Sequence, residues 1–181
     1  MWQKGMRDLQ LKTERLWIRP YSEADFEAYY RYIMDPKLRE MLGEHVSDRA
    51  SAEETFQWLL QNRTFLALVD RTDGTVIGHI CLHPPMKCVS ADPAFSEKTG
   101  FSVSFATAPE RQRMGYMEEA LRALIGAYFQ NGTADYFDCE HTPDNTASGA
   151  LQQKLGFVRW GRESFDDVEL IVNVLNNPKG T

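Results

Sequence analysis

The chain has 181 residues, 43% hydrophobic and 12% aromatic, a composition that suits one folded domain with a sizeable core and excludes a disordered chain. Asp and Glu outnumber Lys and Arg by 26 to 20, a formal net charge of -6, so there is no general affinity for nucleic-acid phosphates. The three cysteines form no CxxC pair, which disfavours a disulfide framework and points to a reducing cytoplasm; a polar N-terminal region and the lack of long apolar runs predict neither a signal peptide nor a membrane span.

In chain order, Leu16–Arg19 reads as a short strand stopped by Pro20. Ser22-Glu23-Ala24-Asp25 has the form of a helix start, in which a serine cap and an acid three residues later satisfy orphan N–H groups. Phe26, Tyr29, Tyr30 and Ile33 recur at helical spacing, and Asp35-Pro36 ends that run. The same capping pattern at Ser51-Ala52-Glu53-Glu54 predicts a second helix carrying Phe56, Trp58 and Leu59. The period then changes. Phe65–Val69 and Val76–Leu82 are predicted strands joined by a hairpin-type turn at Asp73-Gly74, and Pro84-Pro85 breaks the second.

Residues 86–100 read as a polar connection without regular structure, followed by a strand over Phe101–Thr107. Pro109-Glu110 opens a loop that leads into an amphipathic helix, Met117–Gln130, with Ala120, Leu121, Leu124, Ile125 and Phe129 on one face and Asn131-Gly132 at its end. Tyr136–Cys139 is a strand, Asn145–Lys154 a helix ended by Gly156, and strands around Val158–Phe165 and Val168–Leu175 close the chain. No repeat or linker divides it, so residues 1–181 are expected to form a single domain. The order of elements predicts an α/β (α+β) sandwich around one mixed, mostly antiparallel sheet flanked by helices, not a doubly wound parallel one.

The segment most suggestive of chemistry joins a strand to a helix: residues 109–121 read Pro-Glu-Arg-Gln-Arg-Met-Gly-Tyr-Met-Glu-Glu-Ala-Leu. The first N–H groups of a helix lack intrahelical partners and carry partial positive charge, so they attract an anion such as a pyrophosphate. Gly115 permits close backbone approach, and Arg111 and Arg113 offer charge-assisted contacts. By themselves the same residues equally fit a solvated turn before a helix.

This segment resembles the acetyl-CoA loop of the GNAT superfamily of N-acetyltransferases, written Q/R-x-x-G-x-G/A. It is closest to the version in the RimJ/RimL-like ribosomal-protein N-terminal acetyltransferase branch, through Pro109, Glu110, Gly115, Tyr116, Glu119, Ala120 and Leu121. Residues 145–157, from Asn145 through Ser148 and Lys154 to Gly156-Phe157, resemble that branch's second signature, and Leu11–Pro20 its usual first strand. Arg113 departs from the pattern by standing where the branch has its first loop glycine. If that position needs positive φ, its Cβ brings strain of about 1 kcal/mol. An alternative register, Gln112-Arg113-Met114-Gly115-Tyr116-Met117, ends in methionine where Gly or Ala is expected.

The resemblance implies transfer of an acetyl group from acetyl-CoA, as co-substrate and without a metal, to a primary amine of a small molecule or of a protein N-terminus. The amine attacks directly in a ternary complex. It further implies that the backbone of Phe105, Ala106 and Thr107 pairs with the pantetheine arm, and that Gln112, Arg113, Met114, Gly115, Tyr116 and Met117 form the pyrophosphate loop. Asn145 would bond the cofactor arm, and Ser148 would protonate the leaving thiolate. Strand alternation sets Asp138 and Glu140 on one face and Cys139 and His141 on the other, with Glu140 the leading general base and His141 the second.

Two other readings stay open at this stage. A chain of the same family that has lost catalysis would be an acyl-CoA-binding module, with Arg113 as its mark. His79, Cys81 and His83 alternate on one strand, a pattern that admits zinc but more often marks a half-buried strand. Trp17, Tyr29, Tyr30 and Trp58 suit a core better than a pocket. The acceptor is expected to be shaped by regions that are acidic on balance (Glu44, His45, Asp92, Glu97, Asp166, Asp167), with neither nucleic acid nor membrane as partner. A homodimer is one option for the assembly.

Overall fold

The computed structural model describes residues 9–36, 38, 39, 46–62 and 64–178. In chain order its elements are β1 (Leu11–Lys12), β2 (Leu16–Pro20), α1 (Phe26–Ile33), α2 (Arg49–Gln61), β3 (Phe65–Asp70), β4 (Val76–His83), α3 (Lys87–Ser90), β5 (Gly100–Thr107), α4 (Tyr116–Gln130), β6 (Tyr136–His141), α5 (Thr146–Leu155), β7 (Val158–Phe165) and β8 (Val168–Asn176). The strands form one sheet in the order β1-β2-β3-β4-β5-β6-β8-β7. β5 and β6 run parallel, while β1–β2, β2–β3, β3–β4, β6–β8 and β7–β8 are antiparallel. The mixed, mostly antiparallel sheet flanked by helices is therefore what the chain forms.

By internal contacts the chain divides into two compact units, one comprising residues up to Cys81 with Phe105–Ala120, the other Leu82–Ser104 with Leu121 onward. In the first, Leu66–Val69 of β3 is buried at every position, which explains why that strand reads as a continuous apolar run rather than an alternation. Against this sheet pack Tyr21, Tyr29, Tyr32, Ile33, Phe56 and Leu59. Phe56 meets Tyr21 and Phe26 edge-on at ring separations of 5.6 and 5.3 Å, a geometry favoured by ring quadrupoles. In the second unit, Tyr128 of α4 packs edge-on against Phe101 and Phe137 at 5.3 and 5.8 Å. A separate cluster on the other face of β6 gathers Val89, Phe95, Tyr136, Val172 and Val174.

The structure corrects several expectations in detail. The cap of α2 is Asp48, whose carboxylate accepts the Ser51 N–H at 2.9 Å while the Ser51 hydroxyl accepts the Asp48 N–H at 3.1 Å. Ser51 thus closes a capping box from within the first turn and is not itself the cap. The 86–100 connection is not irregular throughout: it holds α3 and turns that bury Val89 and Phe95. Among the aromatics read as core, Tyr29 is buried, but Trp17 and Trp58 are 41% and 51% exposed. Trp17 lies between buried Leu16 and Ile18 and so takes the opposite face, where Lys12 and Arg71 cover its ring. Among the described residues no helix is long and apolar enough to cross a membrane.

Candidate active site

One group of candidate residues, the loop, lies in the first unit. β5 ends at Thr107, a single helical turn covers Pro109–Arg111, and α4 begins at Tyr116. Two bonds fix where the strand ends: the Ala108 N–H donates to the Ile77 carbonyl at 2.8 Å, and the Gln112 side-chain amide folds back to the Thr107 carbonyl at 3.1 Å. A Cβ built on Gly78 would lie 2.3 Å from the Ala106 carbonyl oxygen, so only glycine lets β4 approach the end of β5 this closely. Between the turn and the helix, Arg113 and Gly115 both adopt left-handed conformations, with φ of 61° and 80°. They curl the backbone so that the loop turns about the orphan N–H groups that open α4.

Arg113 therefore carries the strain that its departure from glycine suggested. Left-handed backbone disfavours a residue bearing Cβ by about 1 kcal/mol. Arg113→Gly is expected to raise stability by about that amount, which for a chain of this size is a melting-temperature rise of roughly 2–4 °C, checked by calorimetry.

Arg111 does not stand ready for a phosphate. Its guanidinium pairs with Asp70 at 3.2 Å and Asp73 at 3.0 Å. Buried Asp70 also accepts the Tyr116 hydroxyl at 3.0 Å and the Thr72 N–H at 2.9 Å. Burial opposes ionisation of Asp70, but these donors outweigh it and hold its carboxyl below the ordinary range. Tyr116 is thus tied down through its hydroxyl, and the loop's charge toward an anion rests on Arg113 and the helix N-terminus.

A second brace, from the turn between β1 and β2, has no signature in residue spacing. Arg15 donates through Nη1 to the Met114 carbonyl at 2.9 Å and through Nε to Glu119 at 2.6 Å, while its guanidinium lies 4.3 Å from the Tyr116 ring centroid. Glu119 accepts two further bonds, from the Thr13 hydroxyl at 2.5 Å and the Arg15 N–H at 2.8 Å. Against the opposing effect of burial, these bonds hold the Glu119 carboxyl below its ordinary value. A double-mutant cycle on Arg15→Ala and Glu119→Ala, read by denaturant unfolding, is expected to give a coupling of about 1 kcal/mol, discounted for the solvent exposure of Arg15.

A second group of candidate residues lies in the second unit, on β6 and the start of α5. Asn145 caps α5, its Oδ1 accepting the Ser148 N–H at 3.1 Å. Buried Gln152, one turn on, donates to the Ser148 hydroxyl oxygen at 3.0 Å and to the Glu140 carbonyl at 3.4 Å. Gln152 is itself held by Asn173, whose amide donates to its Oε1 at 2.6 Å. Ser148 accepts this bond, leaving its own proton for another acceptor. Gln152 and Asn173 are functional candidates that spacing did not reveal.

Asp138 and Glu140 share one face of β6, as alternation requires. Burial pushes Asp138 up to about 6 and raises Glu140 above the usual carboxylate value. His141 turns the other way: its Nδ1 is 3.4 Å from the Asn173 amide, and a Cβ on Gly149 would lie 2.7 Å from its Nε2. Burial lowers its proton affinity below that of an ordinary imidazole. Ala106 buries its side chain, and Phe105, Thr107 and Met117 flank the loop as expected from their places in β5 and α4.

The three residues of the zinc pattern have other partners. His79 Nδ1 meets the Tyr32 hydroxyl at 2.8 Å, Cys81 lies 3.7 Å from the Thr64 hydroxyl, and His83 Nε2 meets Ser104 at 2.9 Å. Of the acidic residues expected near the acceptor, Asp92 and Glu97 border the turns after α3, and Asp166 and Asp167 form the left-handed β7–β8 turn. Glu44 and His45 lie outside the described residues.

Comparisons with known proteins bear on the fold and the family. The family described as "Acetyltransferase (GNAT) domain" matches residues 15–158. The sequence is 24% identical over 154 residues to YnaD of Bacillus subtilis strain 168, described as an uncharacterized N-acetyltransferase, spanning 84% of this chain and 85% of that protein. Its fold is similar to that of a GNAT-family acetyltransferase from Bacillus anthracis, with a TM-score of 0.78, 19% identity, and 93% and 99% of the two chains covered. It is also similar to RimL, a ribosomal L7/L12 α-N-protein acetyltransferase in complex with coenzyme A, with a TM-score of 0.72, 15% identity, and 93% and 98% covered. The loop that matches the acetyl-CoA signature thus sits within a family match covering most of the sequence, and the chain belongs to the GNAT acetyltransferase family.

Proposed function

We propose that the chain acts as a single domain that transfers acetyl from acetyl-CoA to a primary amine of a small molecule or a protein N-terminus, within the RimJ/RimL-like branch. The observation that carries this reading is the loop from Gln112 to Tyr116, where two left-handed residues lead into the N-terminus of a fifteen-residue helix directly after a strand end. Such a loop suits a pyrophosphate. The backbone of Phe105–Thr107, beyond the Gly100–Ser102 stretch that pairs with β6, suits the pantetheine arm, and the Asn145 amide, not used in its cap, suits the same arm. The coenzyme A bound by RimL supports the cofactor, and its α-N-protein substrate supports an amine acceptor.

The chemistry then follows from the residues. An ammonium must lose a proton before it attacks, and Glu140, whose proton affinity burial raises above that of an ordinary carboxylate, is suited to take it. Attack on the thioester builds an oxyanion for a preorganised donor to stabilise. As the C–S bond breaks, the departing thiolate takes the Ser148 hydroxyl proton and the attacking nitrogen returns its own surplus proton to Ser148. Cys81, Cys88 and Cys139 form no disulfide among the described residues, which suits a reducing, cytoplasmic setting. The test pairs acetyl-CoA calorimetry with a thiol-release assay over a panel of amines. Binding with turnover on at least one amine is the expected result. Binding without any turnover would favour the acyl-CoA-binding module instead, and no binding would overturn the reading of the loop.

A further inference from the structure

Glu140 does not stand alone on its face of β6. In the parallel β5–β6 register Ser102 lies opposite Asp138. The Ser102 hydroxyl donates to Glu140 Oε2 at 3.4 Å and also favours the ionised form of Asp138. Asp138 is fully buried: Oδ2 accepts the Met86 N–H at 3.2 Å, and Oδ1 has no hydrogen-bond partner among the described residues.

A buried carboxylate usually meets a cation or several donors. The titratable groups that act on Asp138 or feel its charge are acids. His83 of β4 stands further along the same face, its Nε2 2.9 Å from the Ser104 hydroxyl, and burial lowers its proton affinity. Glu140 and Tyr136 flank Asp138 on β6, with the Tyr136 hydroxyl buried and pushed up to about 12. Cys88, from α3, is pushed up to about 11 by burial, then by Glu163 of β7 and by Asp138. Among the described residues no cation compensates this cluster. Two carboxyls two residues apart on one face of a strand raise one another's proton affinity, an effect that for Asp138 adds to the larger one of burial.

We propose that Asp138 and Ser102 are positioning residues for Glu140: the Ser102 hydroxyl holds the Glu140 carboxylate, and the charge on Asp138, buried on the same face of β6, governs when Glu140 accepts a proton. This rests on Glu140 taking the proton of the acceptor ammonium, which leaves a neutral amine and a protonated Glu140. The negative charge of Asp138 favours the protonated form of Glu140, whereas the Ser102 hydroxyl favours the ionised form. Removing each therefore moves Glu140 in opposite directions.

The experiment is a carbon-13 NMR titration of the side-chain carboxyls in the full chain, beside the pH profile of kcat/KM on the best amine found. Asp138→Asn is expected to lower the Glu140 midpoint by about one pH unit, and Ser102→Ala to raise it, with the acidic limb of the rate profile following each change. A Glu140 midpoint that stays fixed in both variants, or moves the same way in both, overturns the proposal. If Asp138→Asn does not fold, the sign of the Ser102→Ala change decides: a rise supports the pair, and no change or a fall overturns it. Midpoints that move as stated in a protein that acetylates no amine uphold the pair and overturn the proposed function instead.

Discussion

Glu140→Gln is expected to slow acetyl transfer by about 10²–10⁴-fold while leaving acetyl-CoA affinity unchanged, since removing a general base removes an interaction made only on the way to the transition state. Glutamine keeps the shape and the capacity to accept from Ser102, so the fold is not at stake. The pH profile sharpens the test. Burial raises Glu140 above the ordinary carboxylate range, so the wild-type rate falls as the pH drops through that raised midpoint, and the variant lacks this limb. Thiol release followed across pH in both proteins checks it. A variant within a few-fold of wild type would move the proton to His141 or to ordered water.

The second large effect is expected at a residue far less conspicuous. Gly78→Val places side-chain carbon where even a Cβ would stand 2.3 Å from the Ala106 carbonyl oxygen and 3.0 Å from the Thr107 Cα. Both are backbone, so no flexible side chain can give way. The two strands must part, and with them the 2.8 Å bond from the Ala108 N–H to the Ile77 carbonyl. Overpacking of this kind destabilises by about 1–3 kcal/mol. Because the displaced segment is the one assigned to the pantetheine arm, acetyl-CoA binding is expected to weaken by roughly tenfold or more, equivalent to about 1.4 kcal/mol. Thermal unfolding and calorimetric titration of the same preparation check both effects. A variant with native melting and native affinity would remove Phe105–Thr107 from the cofactor's path.

These two residues illustrate what the sequence made legible. Glu140 was readable because strand alternation is local: residues two apart share a face whatever surrounds them. The α5 cap at Asn145, the Asp73-Gly74 turn and the amphipathic α4 were readable for the same reason. Gly78 was not, because its constraint comes from the carbonyl of Ala106, which only the folded sheet brings near. Arg15 was likewise invisible as a brace, since Glu119 lies 104 positions away along the chain. Spacing marked Arg111 as an anion ligand, but Asp70 and Asp73, on and just after β3, claim its charge. The second Ser-x-x-acid pattern misled by a few residues because Asp48 formed the better box. Arg113 was flagged by departure from a pattern, and the left-handed backbone gives that departure its physical content.

The central claim is that the loop from Gln112 to Tyr116 and the helix it opens hold the pyrophosphate of acetyl-CoA. Calorimetric titration of the wild-type chain with acetyl-CoA and, in parallel, with acetyl-pantetheine, which keeps the thioester arm but lacks the pyrophosphate, tests it most directly. The account predicts one site for acetyl-CoA and affinity for acetyl-pantetheine weaker by roughly tenfold or more, the loss of about one charge-assisted interaction. Equal affinity for the two, or no binding of acetyl-CoA, would contradict it.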